Sequence, residues 1–203
     1  MEFKNNKTDV PLAHYRALFA QGDPEEMAKR TETEYDPGAG TFVLRMMGQR
    51  VQISWPEGLV SFPDSDRTIT DYSSILLLRF LLDGHSVQSG GRFLAYQEMP
   101  WGEVYFTQFR GRCIQRLAFT YGNDPERFSR ACAALGGMPV PMADRAFEIP
   151  FLETLRVRLL LWEGDEEFQP SAQILFSDNF PLAFSAEDMA VVGDVLLSEM
   201  KKA

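Results

Sequence analysis

Two series of segments follow one another in the same order along this chain of 203 residues. Ala17–Glu26 is echoed by Leu117–Arg127, and each copy holds an Asp-Pro pair. Asp is a good helix cap and Pro suits the first helical position, so each copy predicts one helix ending and another beginning. Further on, Thr41–Gly58 is echoed by Ala146–Gly164, and both segments have the pattern of a β-hairpin ending in Trp.

A helix signal follows each hairpin, because Thr68 and Ser185 both stand three residues before a carboxylate. We therefore predict an α+β fold made by internal duplication, with two diverged α-β-β-α halves at residues 10–82 and 112–201. The halves would pack about a pseudo-two-fold axis as mainly antiparallel sheets with helices, in a single globular domain spanning residues 1–203. The alternative is that two unrelated halves share common capping and hairpin signals.

Residues 83–111 do not repeat, and they form an aromatic, glycine-rich connector. Six of the seventeen residues from Phe93 to Phe109 are aromatic, against 12% of the whole chain. Such rings either wall a ligand pocket where the halves meet or fill the core between two sheets. Including the polar residues discussed next, the candidate ligand-binding residues are Tyr96, Trp101, Tyr105, Phe109, Arg110, Arg112 and His85.

Arg110 and Arg112 close the connector and flank Gly111, which permits close approach of an anionic group to the backbone. A solvated pair of arginines is the alternative interpretation. His85 follows a strongly apolar helix segment, and it can equally serve as a cation at the end of that helix.

The most concentrated acidic segment begins at Glu163, continues through Asp165 and is followed by Asp178. Carboxylates at strand ends can hold a hard divalent cation, so these three residues are the candidate metal ligands. The spacing matches no EF-hand, and a solvated acidic turn is the alternative.

Other catalytic signatures are absent from the sequence. It contains only two histidines, no His-Glu-x-x-His, no Gly-x-Ser-x-Gly and no nucleotide-binding glycine motif. Cys113 adjoins Arg112, which favours a lowered thiol pKa, whereas a buried structural cysteine is the alternative. The sequence thus supports no specific reaction, and no cofactor can be named.

Charge, hydropathy and cysteine content disfavour a nucleic-acid-binding or membrane-spanning protein and favour a cytoplasmic one. The net charge of −9 disfavours nucleic-acid binding, which depends on Lys and Arg. The most apolar segment, residues 75–82, falls short of the roughly 20 residues that cross a bilayer. Two cysteines and a beginning without a signal-peptide pattern favour the cytoplasm.

Three stretches resemble a prokaryotic family of unknown function, DUF3786. They are the run from Asp23 through Trp55-Pro-Glu-Gly, the pattern Tyr105-x-x-x-Phe-x-Gly-Arg112, and the tail from Leu161 to Phe176. Some members carry an added iron–sulfur segment, so the resemblance implies a setting in anaerobic redox or corrinoid metabolism. This chain lacks the cysteines for a cluster, and the family supplies no catalytic residues to transfer.

These observations lead to three hypotheses. The first is a non-catalytic accessory protein of anaerobic cofactor or redox metabolism that binds a small molecule or a protein partner. The second is a metal-dependent enzyme that uses the carboxylates near Glu163, Asp165 and Asp178. The third is a self-association module in which exposed connector aromatics form the interface, and the sequence leaves the oligomeric state open.

Overall fold

A computed structural model describes residues 9–203 and divides the chain into two compact units. The first unit contains the described residues up to Ser86 together with Leu182–Phe184. The second contains Val87–Pro181 and Ser185–Ala203. Both units combine helices with antiparallel strands, which confirms the α+β class. Among the described residues, no helix is long and apolar enough to span a bilayer.

The first unit begins with two helices and continues into an antiparallel sheet that is followed by a buried helix. Its four strands pair with one another in the order in which they follow along the chain. Met47 and Gly48 both have positive φ, as the two central residues of a tight hairpin turn require. The elements are α1 (Asp9–Gln21), α2 (Pro24–Thr31), β1 (Glu34–Asp36), β2 (Thr41–Met46), β3 (Gln49–Ser54), β4 (Val60–Ser61) and α3 (Asp71–Asp83).

The second unit has the longer strands. Its last four strands pair in the order in which they follow along the chain, and its first strand pairs with the last of them. A π-helical segment, Arg110–Gln115, joins two of its helices. A short helix, α7 (Phe180–Ala183), lies where the chain passes between the units. The other elements are β5 (Phe93–Ala95), a 3₁₀ turn (Tyr96–Glu98), α4 (Gly102–Phe109), α5 (Arg116–Tyr121), α6 (Pro125–Ala134), β6 (Met138–Pro139), β7 (Arg145–Leu152), β8 (Leu155–Trp162), β9 (Ser171–Ser177) and α8 (Ala186–Lys202).

The two units share part of their order of elements. In each, helices precede four antiparallel strands, β1-β2-β3-β4 or β6-β7-β8-β9, and a further helix follows, whereas β5 and the short α7 between β9 and α8 have no counterpart in the first series. Both predicted hairpins are present as β2-β3 and β7-β8. The internal duplication and the single domain remain predictions.

Side-chain caps mark the starts of four helices, α2, α3, α6 and α8. Asp23 accepts hydrogen bonds from two backbone N–H groups of α2, and Asp124 accepts one from Arg127. Ser185 forms a capping box with Asp188 at the start of α8, as the sequence predicts. The predicted cap at Thr68 is wrong, because Thr70 directly precedes α3 and its Oγ1 accepts from the Ser73 N–H at 3.2 Å.

Candidate anion-binding site

The connector aromatics divide between the core and the surface of the second unit. Tyr96 and Phe109 are fully buried and stacked, with ring centroids 4.0 Å apart. The Tyr96 hydroxyl donates to the carbonyl of Ala186 at 2.6 Å, and Phe176 packs against both rings. These two candidate residues therefore form part of the packed core.

The other candidate aromatics face outward from α4 and the residue before it. Trp101 is 77% exposed and Tyr105 is 40% exposed, with Val104 between them at 64%. Trp101 has a left-handed backbone conformation, φ 64°, immediately before the helix begins. The structure thus separates these side chains from the Tyr96–Phe109 stack. Self-association through them remains a prediction.

The π-helical segment brings the end of the connector against α8. Cys113 is buried there, and a Cβ added to Gly193 would lie 2.7 Å from its Sγ. This close approach places Asp194 beside the segment, where its carboxylate pairs with Arg112 and with Arg116, the latter at 3.5 Å. Arg110 is exposed on the same segment. The predicted residue Arg112 therefore lies beside Arg116, and these two arginines form a short row of cationic side chains along Asp194.

A cavity of about 360 Å³ opens beyond this row, between α5, α6 and α8. Arg116 and Thr120 lie four residues apart and thus on one side of the helical stretch, as do Leu197 and Lys201 on α8. The lining residues are Arg116, Thr120, Tyr121, Arg127, Leu197 and Lys201. Three of these six side chains are cationic and none is a carboxylate, in a chain whose net charge is −9.

Tyr121, one of the lining residues, has a buried hydroxyl without a partner in residues 9–203. Tyr121 is 1% exposed, and its Oη forms no hydrogen bond within the described part of the chain. Burial raises the pKa of Tyr121, while the positive charges of Arg127 and Arg116 oppose that rise. The phenol therefore stays protonated near neutral pH, and it has a proton to donate.

The three cations are held to different degrees. Arg116 is restrained by Asp194 and by the Ser198 hydroxyl, which accepts from its Nη2 at 3.4 Å. The Arg127 guanidinium lies over the Tyr121 ring, 5.3 Å from its centroid. Neither Arg127 nor Lys201 forms an ion pair with any residue from 9 to 203. The cavity therefore combines one fixed positive charge with two whose donors are available to a ligand.

A second cleft, of about 410 Å³, lies in the first unit beside α2 and β1. Glu25 and Glu32 line it together with a single lysine, Lys29. Because carboxylates flank the cation, this cleft has no excess of positive charge. It is therefore the weaker candidate for anion binding.

The predicted metal ligands lie at opposite ends of one strand pair. Trp162 at the end of β8 faces Ser171 at the start of β9, which leaves Asp178 roughly 20 Å further along, at about 3.4 Å per residue. Glu163 pairs with Arg145 at 3.3 Å, and Asp165 accepts hydrogen bonds within its own turn from two backbone N–H groups. The three carboxylates are not brought together.

Asp178 instead organises the loop before β5. It accepts hydrogen bonds from the Ser89 hydroxyl at 2.6 Å and the Gly90 N–H at 3.0 Å, and it lies 3.7 Å from Arg92. The Ser89 hydrogen bond is the main cause that lowers the pKa of Asp178. Within residues 9–203, no group of three His, Cys, Asp or Glu side chains is arranged to hold a metal ion.

His85 lies in the first unit, whereas the other candidate ligand-binding residues lie in the second. It is exposed just after α3, and its backbone N–H donates to the carbonyl of Leu182 at 3.0 Å. The structure describes no hydrogen bond from its imidazole to any residue in the range 9–203. The contacts of His85 thus involve its backbone rather than its side chain.

Comparison with known protein families accounts for most of the chain. The family model described as a domain of unknown function, DUF3786, matches residues 23–199. The chain belongs to the DUF3786 family. No curated protein and no solved structure matches it. The matched range includes the cavity residues from Arg116 to Leu197 and ends before Lys201.

Sequence reasoning missed most of the cavity of this DUF3786 protein. Tyr121 and Arg127 lie inside the segment that we interpreted only as a helix end and a cap. Lys201 lies on the polar side of α8, where a lysine is ordinarily solvated. The spacing of Arg112, Arg116 and Thr120, four residues apart, was the available local signal for a polar row.

Both cysteines of the DUF3786 protein are expected to be unreactive in the native state. Burial raises the pKa of Cys113 to about 12, and Asp194 adds to the rise while Arg112 and Arg116 oppose it. Burial also raises the pKa of Cys132. At pH 8 the Cys113 thiolate is then only about one molecule in 10⁴, and thiolate is the reactive form. We expect iodoacetamide to label the folded protein at least ~100-fold more slowly than the protein in urea. Equal rates would contradict this assignment.

Proposed function

We propose that this protein is a non-catalytic binding protein for a small anionic molecule, which it holds in the cavity between α5, α6 and α8. One observation carries the proposal. The buried Tyr121 hydroxyl has no partner among the described residues, and Tyr121 lines the cavity together with Arg116, Arg127 and Lys201. A ligand that offers oxygen acceptors and negative charge would complement each of these groups.

Without a ligand, the side chains that line the cavity carry an energetic cost. A buried hydroxyl without a hydrogen bond costs about 1–3 kcal/mol. Arg116, Arg127 and Lys201 also repel one another, and Asp194 pairs with only one of the three. A bound anion reduces the repulsion, and a small shift of the Tyr121 ring would let the hydroxyl, which is shielded from solvent, donate to that anion.

The chemistry of the lining favours binding over reaction. Its polar groups are arginine, lysine, threonine and tyrosine, with no histidine, cysteine or carboxylate. General acid–base catalysis works best with a group whose pKa lies near the operating pH, and the Tyr121 pKa is raised further from neutrality. We keep anaerobic cofactor or redox metabolism as the proposed setting, on the family resemblance alone.

Thermal and urea unfolding with phosphate and with citrate test this proposal. At 100 times its Kd, a ligand that binds only the folded protein adds about 2.7 kcal/mol to the free energy of unfolding. We expect Lys201→Gln to reduce this stabilisation strongly. Lys202→Gln is the matched control, because it removes the same charge from the next residue, whose side chain pairs with the buried Glu199 and does not line the cavity. The stabilisation by anion is compared for each variant against the same variant without ligand.

Tyr121→Phe separates binding from folding in the same experiment. The variant removes only the unpaired hydroxyl, so the stability without ligand should be unchanged or slightly higher. The stabilisation by anions should fall. If neither anion stabilises the protein, or if Lys201→Gln and Lys202→Gln respond equally, the proposed site is wrong.

A further inference from the structure

We propose that the ligand class is a small organic phosphate monoester, with its phosphoryl group on the cations of the cavity and its organic part against the aliphatic stems of the same side chains. This inference rests on the proposed function, because it specifies which anion the same cavity takes. It is carried by the number of donors, by their origin on three helices and by the volume of the cavity.

The number of donors exceeds what a carboxylate uses. One arginine can satisfy both oxygens of a carboxylate through two parallel hydrogen bonds. This cavity offers two guanidinium groups, one ammonium group and the hydroxyls of Thr120 and Tyr121. A phosphate monoester carries about −1.5 to −2 charges at pH 7 and three acceptor oxygens. Its charge and acceptors therefore match the lining better than those of a single carboxylate.

The donors also approach from different directions. Arg116 and Thr120 belong to α5, Arg127 to the first turns of α6, and Lys201 to the last turn of α8. A planar carboxylate presents two oxygens in one plane, whereas the three terminal oxygens of a phosphoryl group diverge. Donors on three helices thus suit a tetrahedral anion.

The size of the cavity argues for an ester rather than free phosphate. Water occupies about 30 Å³ in the liquid, so a phosphoryl group the size of two or three waters takes roughly 60–90 Å³. The cavity holds about 360 Å³, which leaves most of it for other atoms. Leu197 and Tyr121 are only 3% and 1% exposed, so the apolar surface open to that part of the ligand comes from the aliphatic stems of the long cationic side chains.

Three probes separate these features when their binding to the full chain is measured by calorimetry, with ³¹P NMR as a second measurement for the two phosphates. Phenyl phosphate has both a phosphoryl group and an apolar body, inorganic phosphate lacks the body, and benzoate replaces phosphoryl by carboxylate. We expect phenyl phosphate to bind at least about tenfold more tightly than either of the others. A tenfold ratio of dissociation constants corresponds to about 1.4 kcal/mol of binding free energy.

Charge-removing variants localise the binding. Arg127→Gln and Lys201→Gln should each weaken phenyl phosphate binding by about tenfold or more, since each removes a charged donor. Arg130→Gln and Lys202→Gln are the matched controls, because they lie on the same two helices outside the cavity lining. These controls should change the affinity less than about twofold, as surface charges outside a site do.

Four other outcomes would contradict the proposed ligand class, the ester, the location of the site or the binding function. Benzoate binding as tightly as phenyl phosphate, with the same dependence on Arg127 and Lys201, overturns the phosphate class and leaves the anion-binding function in place. Inorganic phosphate binding as tightly as phenyl phosphate overturns the ester. Binding that the controls weaken as much as Arg127→Gln or Lys201→Gln overturns the location. Absence of binding by all three probes overturns both this inference and the proposed function.

Discussion

Replacing Phe109 by alanine is expected to lower the free energy of unfolding by about 3–5 kcal/mol. The side chain is fully buried, it stacks on Tyr96 at 4.0 Å, and its ring lies 5.9 Å from that of Phe176. Truncation removes both the apolar burial and the ring contacts, and it leaves a cavity in a packed core. Urea unfolding monitored by circular dichroism measures the loss directly.

Phe119→Ala is the matched control for this prediction. Phe119 lies ten residues further along the same run of helices, but it is 75% exposed. Its replacement should change the stability by less than about 0.5 kcal/mol, as is typical of surface positions. If Phe109→Ala were as mild as Phe119→Ala, the Tyr96–Phe109 stack would not be a core element, and a pocket lined by these rings would regain support.

Replacing Gly102 by alanine should destabilise the protein by about 3 kcal/mol or more, the upper range for overpacking. A Cβ at this position would lie 1.8 Å from the carbonyl oxygen of Tyr96 and 2.9 Å from its carbonyl carbon. Both are backbone atoms of the tight turn before α4, so no side chain can move aside. The turn or the start of α4 must shift instead, and thermal unfolding should report a lower midpoint.

Gly111→Ala provides a control of opposite sign. Gly111 lies in the π-helical segment, and the nearest atom to an added Cβ is the Gln115 side-chain oxygen at 3.8 Å, an ordinary contact. Alanine is favoured over glycine in helices by about 1 kcal/mol, so this variant should be neutral or more stable. A similar loss in both variants would show that the Tyr96 contact is not the cause at Gly102.

Short-range signals predicted much of the local structure. Asp23, Asp124 and Ser185 cap their helices because a capping side chain acts on backbone groups two or three residues away. The alternation of apolar and polar residues predicted β3, since the side chains of a strand point alternately to its two faces. Val51 and Ile53 are buried there, whereas Gln52 and Ser54 are partly exposed. The exception, Thr68, shows the limit of such signals, because Thr70 stands nearer to the helix and takes the role.

The aromatic connector shows what composition cannot resolve. Phe109 and Tyr105 are the same class of residue, four positions apart on or beside one helix, yet the first is fully buried and the second is 40% exposed. Residues four apart lie on the same side of a helix, so the difference depends on position along α4: Phe109, at the end of the helix, packs against Tyr96 and Phe176. The sequence of the connector contains no information on that contact by itself.

The cavity depends on tertiary structure even more strongly. Arg116, Arg127 and Lys201 are separated by up to 85 positions in the chain, and each is an ordinary surface residue when considered alone. They converge because α8 approaches the π-helical segment closely at Gly193, which places Asp194 and Ser198 against Arg116. The row of Arg112, Arg116 and Thr120 predicts a polar strip, but it does not show what faces it.

The sequence alone determined the α+β class, the family, both hairpins and most of the helix caps, because backbone hydrogen bonding and side-chain alternation act over a few residues. The tertiary structure decided which connector rings are buried and where positive charge collects. It also separated Asp178 from Glu163 and Asp165, since β8 and β9 run antiparallel and place these residues at opposite ends. Contacts between distant segments position the candidate site, and local sequence patterns do not encode those contacts.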